Sequence, residues 1–150
     1  SMALIKYHGR REYLDFYSEA MFRRFGPAIR RLSPDCIIPV PVHKSRLKKR
    51  GFNQAEIVAK VLSENTGIAM DAGAVKRIKA TSPQKELGDK GRKRNIRGAF
   101  AVQKNVKGEN IVLIDDIYTT GSTLDEAARV LKKAGAENVY FLTVSIGQGI

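Results

Sequence analysis

The run Val112-Leu113-Ile114-Asp115-Asp116-Ile117-Tyr118-Thr119-Thr120-Gly121-Ser122-Thr123 constrains this chain more than any other stretch. Its apolar opening reads as a strand over 111–115. Leu124, Ala127, Ala128 and Leu131 then recur at the three-and-four spacing of a buried helical stripe. Gly135 stands where a left-handed helix cap is expected, and the apolar residues 139–144 supply another strand. Strand, tight turn, helix and strand form a βαβ unit. The expected fold class is therefore α/β, a parallel sheet with helices on its faces and ligands at the carboxyl ends of its strands.

The same run carries chemistry. Successive strand side chains point to opposite faces, so Asp115 and Asp116 offer carboxylates from two directions, an arrangement suited to vicinal hydroxyls. Thr119 to Thr123 turn into the helix, where unpaired backbone amides and the positive dipole end favour a phosphate. Gly121 lets the backbone approach that phosphate closely, and Ser122 or Thr123 can cap the helix against Asp125 or Glu126. The plainer reading is that two acids end a strand and a serine caps a helix, but strand, acid pair and loop coincide here. No Gly-Lys-Ser/Thr phosphate loop occurs and no glycine triad opens a helix after a strand, so simple ATPase and dehydrogenase readings lose support.

Elsewhere, Tyr13, Phe16, Tyr17, Ala20 and Arg24 predict a helix over about 11–25 that Gly26-Pro27 ends. Cys36 to Val42 opens as a buried strand ending near Val40, where prolines remove ladder donors. Asn53 to Glu56 has the form of a capping box, and Ala55, Val58, Ala59 and Leu62 mark a helix running to about Asn65, before Gly67. Phe100 to Val102 reads as a weak strand. Residues 79–97 hold glycines, Ser82-Pro83 and many cations without apolar period, which predicts a mobile basic loop, either a lid or a solvated segment. With 150 residues and 43% hydrophobic content, one domain over 1–150 is expected. Ser1 before Met2 looks like a cloning remnant.

The 27 Lys and Arg against 15 Asp and Glu leave a formal net charge of +12, which calls for an anionic partner: nucleic acid, acidic membrane surface or polyphosphate. The single cysteine, Cys36, excludes an internal disulfide. With only His8 and His43 as other soft ligands there is no zinc spacing, and Cys36 reads as a small buried hydrophobe. No apolar run approaches the ~20 residues of a membrane span and no signal-peptide pattern opens the chain, so a cytoplasmic location and no membrane partner are expected.

The run 112–123 resembles the signature of type I phosphoribosyltransferases, in which hydrophobic residues precede two acids and a Thr-Thr-Gly-rich loop. Four further segments are similar to the ComF-like, competence-protein branch of that family: Pro39-Val40-Pro41-Val42 with its basic continuation into Arg50-Gly51-Phe52-Asn53-Gln54, Leu4 to Arg10, Thr81 to Gln84, and Arg94 to Phe100. The resemblance spans nearly the whole chain, although the cysteine-rich, zinc-binding N-terminal segment common in that branch is not present in these residues.

The resemblance implies a single-domain type I phosphoribosyltransferase fold that binds phosphoribosyl pyrophosphate with magnesium, the metal riding mainly on the pyrophosphate. It assigns Asp115 and Asp116 as catalytic residues holding the ribose hydroxyls, with Tyr118, Thr119, Thr120, Gly121, Ser122 and Thr123 around the ribose phosphate. The segment after the first core strand, with Pro41, Val42, His43, Lys44, Arg46 and Arg50, would hold pyrophosphate and stabilise the charge it develops on leaving. Solvated cations or a nucleic-acid contact are the alternative there, and His43 has no evident partner base. Lys85, Arg92 and Arg94 of the basic loop would close over the site. No protein metal ligand set is assigned, and the acceptor is not legible. The competing expectation is a non-catalytic module that keeps the pocket as a sensor, with single-stranded DNA, a DNA-handling protein or a second copy of the chain as partner.

Overall fold

In the computed structural model, which describes residues 22–24, 26–42, 48, 53–79, 91, 96–118 and 122–146 (backbone alone at Gln54, 116–118 and 144–146), the aliphatic runs become parallel strands. The elements in chain order are β1 (Cys36–Pro39), α1 (Gln54–Thr66), β2 (Val75–Arg77), β3 (Phe100–Val102), β4 (Asn110–Tyr118), α2 (Ser122–Lys133) and β5 (Asn138–Ile146). β4 is central in a parallel sheet of order β1-β4-β5, with Cys36 opposite Ile111 on one side and Ile111 opposite Val139 on the other. A parallel bridge from Ile37 to Met70 extends the sheet beyond β1, where the Ile37 amide donates to the Ala69 carbonyl at 2.8 Å and the Asp71 amide donates to the Ile37 carbonyl at 3.0 Å.

The alternation of strand side chains explains why helices cover both faces. Ile38, Ile111 and Leu113 point to one side, where they join Leu124, Ala127 and Leu131 of α2. Their neighbours Ile37, Val112 and Ile114 point to the other, against Ala55, Val58, Ala59 and Leu62 of α1. Strands buried on both faces are continuously apolar, which is why no polar alternation marks them. Gly135, at φ 106, ends α2 as expected: the Gly135 amide donates to the Lys132 carbonyl at 3.0 Å and the Ala136 amide to Leu131 at 3.1 Å, a Schellman pair. Gly67 caps α1 in the left-handed region, as expected.

Two expectations are corrected. The backbone is helical at 26–32 as well as at 22–24, so Gly26 and Pro27 take helical backbone themselves. A Cβ on Gly26 would lie 3.0 Å from the Phe22 ring, so the glycine makes room for that ring, and proline's fixed φ already matches a helix. The helical stretch stops at Ser33, at φ 47, before Pro34. Second, β4 continues past Asp115, because Ile117 and Tyr118 pair with Ser145 and Ile146 of a β5 longer than its apolar run. β3 is the strand expected at Phe100 to Val102, and with β2, for which the sequence gives no signal, it forms a separate antiparallel ribbon in which Arg77 pairs with Phe100. Most of the predicted basic loop lies outside the described residues. The ribbon joins its flanks, with the Ile78 amide donating to the Ala99 carbonyl at 2.7 Å and Lys79 Nζ to the Arg97 carbonyl at 3.1 Å.

Candidate functional site

Two segments singled out by sequence leave the sheet side by side. β1 and β4 run parallel with Pro39 opposite Ile114, and the Val40 amide donates to the Ile114 carbonyl at 2.8 Å. Pro41 and Val42, half-buried, therefore emerge next to Asp115, also half-buried and paired with Thr143 of β5. Both segments leave at the carboxyl end of the sheet, where α/β folds collect ligands. Ser122 is buried at the first position of α2 and Thr123 is half-buried behind it. One edge thus holds a carboxylate, a hydroxyl-bearing helix start and the beginning of the basic segment. That combination is suited to a sugar phosphate, with the carboxylate accepting from hydroxyls and the helix start favouring the anion.

Of the other expected site residues, Asp116 and Tyr118 have strand backbone in β4. Their side chains lie outside the described residues, as do Thr119, Thr120 and Gly121, His43, Lys44, Arg46 and Arg50, and Lys85, Arg92 and Arg94.

Asn53 has a further part that its role as cap does not reveal. Its Oδ1 accepts from the Ala55 amide at 3.0 Å, which caps α1 one residue earlier than the capping-box form implies. Its Nδ2 donates to the Val40 carbonyl at 3.2 Å. One buried side chain therefore ties the end of β1 to the start of α1, fixing both ends of the segment between them. Asn53→Ala loses the cap and leaves the Val40 carbonyl unpaired. The expected cost is about 2 kcal/mol, read as a lower urea midpoint at unchanged slope.

Glu126 reads from the sequence only as a neighbour of the helix cap. It is buried at 6% exposure and accepts from Arg129 Nε at 2.8 Å, from an Arg129 terminal nitrogen at 2.6 Å and from the Gly98 amide at 3.0 Å. Gly98 sits at φ 73, where a side chain would strain the turn, and the nearby Ile96 is buried. Glu126 thus fastens the turn leading into β3 onto the helix that starts at the candidate phosphate site. Arg129 hydrogen bonds hold its carboxyl below the usual carboxylate range, the Gly98 amide helping and burial opposing. A depressed folded-state pKa stabilises above the unfolded value of about 4.3, and that contribution disappears as pH falls through the lower folded value. Glu126→Gln should therefore be less stable than the parent at neutral pH, by roughly 1–3 kcal/mol, with the gap narrowing below about pH 4. Urea melts across pH 3–7 check this, and a constant gap would contradict it.

At the opposite end of the sheet, Lys104 Nζ lies 3.4 Å from Asp71 and 3.9 Å from Glu109. It also lies 3.9 Å from Cys36 Sγ. Cys36 is 3% exposed and burial pushes its thiol up, the behaviour of a packed hydrophobe rather than a nucleophile. Among the described residues no group of three or more His, Cys, Asp and Glu could hold a metal ion, and no helix is long and apolar enough to cross a membrane.

Comparisons with known proteins agree with this layout. Residues 46–146 match the phosphoribosyl transferase domain family. The chain is 40% identical over 106 residues to the DNA utilization protein YhgH of Salmonella typhi, covering 71% of this chain and 47% of that protein. It is 41% identical over 109 residues to competence protein F of Haemophilus influenzae, covering 71% and 48%. It is 30% identical to competence protein ComFC of Bacillus subtilis, covering 96% and 58%. The chain thus spans about half the length of the curated relatives it matches. Its fold superposes on an adenine phosphoribosyltransferase with TM-score 0.60 at 15% identity, over 94% of this chain and 74% of that one. It also superposes on the purine phosphoribosyltransferase of Pyrococcus horikoshii with TM-score 0.57 at 20% identity, over 87% and 73%. With the acid-bearing central strand, the helix that follows it and the exit of β1 in this arrangement, the chain belongs to the type I phosphoribosyltransferase family, in its ComF-like branch.

Proposed function

We propose that the carboxyl edge of β1 and β4 binds phosphoribosyl pyrophosphate with magnesium and transfers its phosphoribosyl group to an acceptor. The observation that carries this reading is the junction of β4 with α2, where Asp115 stands beside the exit of β1 and Ser122 opens the helix. In this reading Asp115 and Asp116 hold the ribose hydroxyls and steady the positive charge that develops at the ribose carbon as pyrophosphate departs. Thr119 to Thr123 receive the 5′-phosphate, with Tyr118 beside the ribose. Pro41, Val42, His43, Lys44, Arg46 and Arg50 take the pyrophosphate, assisted by Lys85, Arg92 and Arg94. Magnesium prefers oxygen ligands and is held largely through substrate phosphates, so in this reading it rides mainly on the pyrophosphate. Bound there, it would neutralise pyrophosphate charge.

Calorimetric titration with phosphoribosyl pyrophosphate and magnesium tests the pocket. Pyrophosphate release across a panel of bases and amines then tests turnover. Absence of binding would overturn the reading, and binding without release to any acceptor would reduce it to a sensor.

A second reading is favoured by the relatives, whose names concern DNA utilization and competence. It takes the domain as a module that handles nucleic acid, with the pocket as a ligand sensor, and the net charge of +12 suits such a partner.

A further inference from the structure

The helical residues before β1 carry a charge pattern that the phosphoribosyl pocket does not use. Between Glu19 and Asp35 the sequence has no acidic residue, yet it holds Arg23, Arg24, Arg30 and Arg31, all four of them exposed. Arg23 and Arg30 are seven residues apart, as are Arg24 and Arg31. On a helix that spacing would bring the two members of each pair onto one face, two turns apart, about 10 Å along the axis. The opposite face is committed to the core, with Phe22 and Ile29 packing among the α1 residues Ala55, Val58 and Leu62.

Arg30 is held in place. Its guanidinium lies 5.6 Å from the Phe22 ring centroid and donates to the Asn65 carbonyl at 2.9 Å, in the last turn of α1. A guanidinium fixed in this way loses little freedom on meeting an anion. Asn65 lies near the end of the sheet where the strands begin, so Arg30 sits away from the carboxyl edge. Cations near a helix C-terminus stabilise it through the dipole, which accounts for Arg30 and Arg31. It does not account for Arg23, nor for the lack of acids between Glu19 and Asp35.

We propose that this arginine face binds the phosphate backbone of a nucleic acid, an inference that rests on the second reading above and gives it a surface. The stripe is too long for one phosphate or pyrophosphate and matches a repeating anion. The planar guanidinium fork suits phosphate oxygens, and residues 20–34 bring no acid of their own to repel a polyanion.

The test measures binding of a labelled 20-nucleotide oligodeoxythymidine, and of a duplex of equal length, by fluorescence anisotropy across a salt series. The full chain is compared with Arg23→Ala/Arg31→Ala and with Lys132→Ala/Lys133→Ala, which removes two exposed cations from the far end of α2. Circular dichroism checks that each variant is folded. The arginine variant is expected to bind several-fold more weakly, with the slope of log K against log salt shallower by about 1.4 for the single strand, at roughly 0.7 for each phosphate no longer neutralised. The lysine variant is expected to match the parent, and phosphoribosyl pyrophosphate binding to be unchanged in both. The relative loss on single strand and duplex tells which form is the ligand. Equal weakening by both variants would reduce the effect to net charge and overturn the proposal. So would retained binding in the arginine variant, which would leave nucleic-acid handling standing without this surface. Binding to phosphatidylglycerol vesicles but to neither oligonucleotide would assign the face to a membrane instead, and failure of the parent chain to bind either oligonucleotide or the vesicles would overturn both this proposal and the nucleic-acid reading.

Discussion

Alanine at both Asp115 and Asp116 is expected to raise the dissociation constant for phosphoribosyl pyrophosphate by about 100-fold. Each carboxylate removes a charge-assisted hydrogen bond worth roughly 1.5–3 kcal/mol, and about 3 kcal/mol in total corresponds to two decades of affinity. The loss should concentrate on the ribose, so inorganic pyrophosphate, which has no diol, should bind the double variant as it binds the parent. Calorimetry with both ligands separates the two. Equal weakening for both would mean that the acids act on the diphosphate or on the fold. Unchanged affinity for the full ligand would remove the acid pair from the site. The fold itself should tolerate the change better than a core substitution, because Asp115 is only half-buried at the sheet edge.

Leu113→Ala is expected to cost more stability than any surface change. Leu113 has 0% exposure, sits in the central strand between β1 and β5, and packs in the cluster that joins the sheet to α2. Truncation removes buried methyl groups and leaves a cavity that strands fixed on both sides cannot collapse around. About 3 kcal/mol follows, a fall in Tm of roughly 10 °C for a domain of this size. Phe141→Ala provides the contrast. It removes a larger side chain, but Phe141 is 45% exposed on β5, so the cost should stay near or below 1 kcal/mol. Comparable losses at the two positions would mean that the face of β5 is covered in solution.

The pattern of aliphatic residues makes β1, α1, β4, α2 and β5 legible, because each is long enough, or capped clearly enough, for its period to register. It also makes the acid pair and the following loop legible as one unit, since they are contiguous. β2 is not legible. Three residues with Arg77 buried give no strand signal, and their conformation depends on pairing with Phe100 to Val102. The end of the first described helical stretch is misleading in sequence because Gly26-Pro27 looks like a stop, whereas Gly26 is there to admit the Phe22 ring.

By itself, then, the amino-acid order determined the α/β class, the helix caps at Asn53, Gly67 and Gly135, and the candidate ribose-phosphate strand and loop. Those depend on neighbours within a turn or two of each other. Only the tertiary structure decided what lies beside them. It carries β4 on to Tyr118 through pairing with β5, and ties Val40, at the exit of β1, to the Ile114 carbonyl just before Asp115. It also binds Asn53 to Val40 and fastens Gly98 to Glu126, 28 residues away. The reason is physical: a hydrogen bond between distant residues leaves no periodic trace, because its partners are brought together by the packing of the core and not by the spacing of the chain.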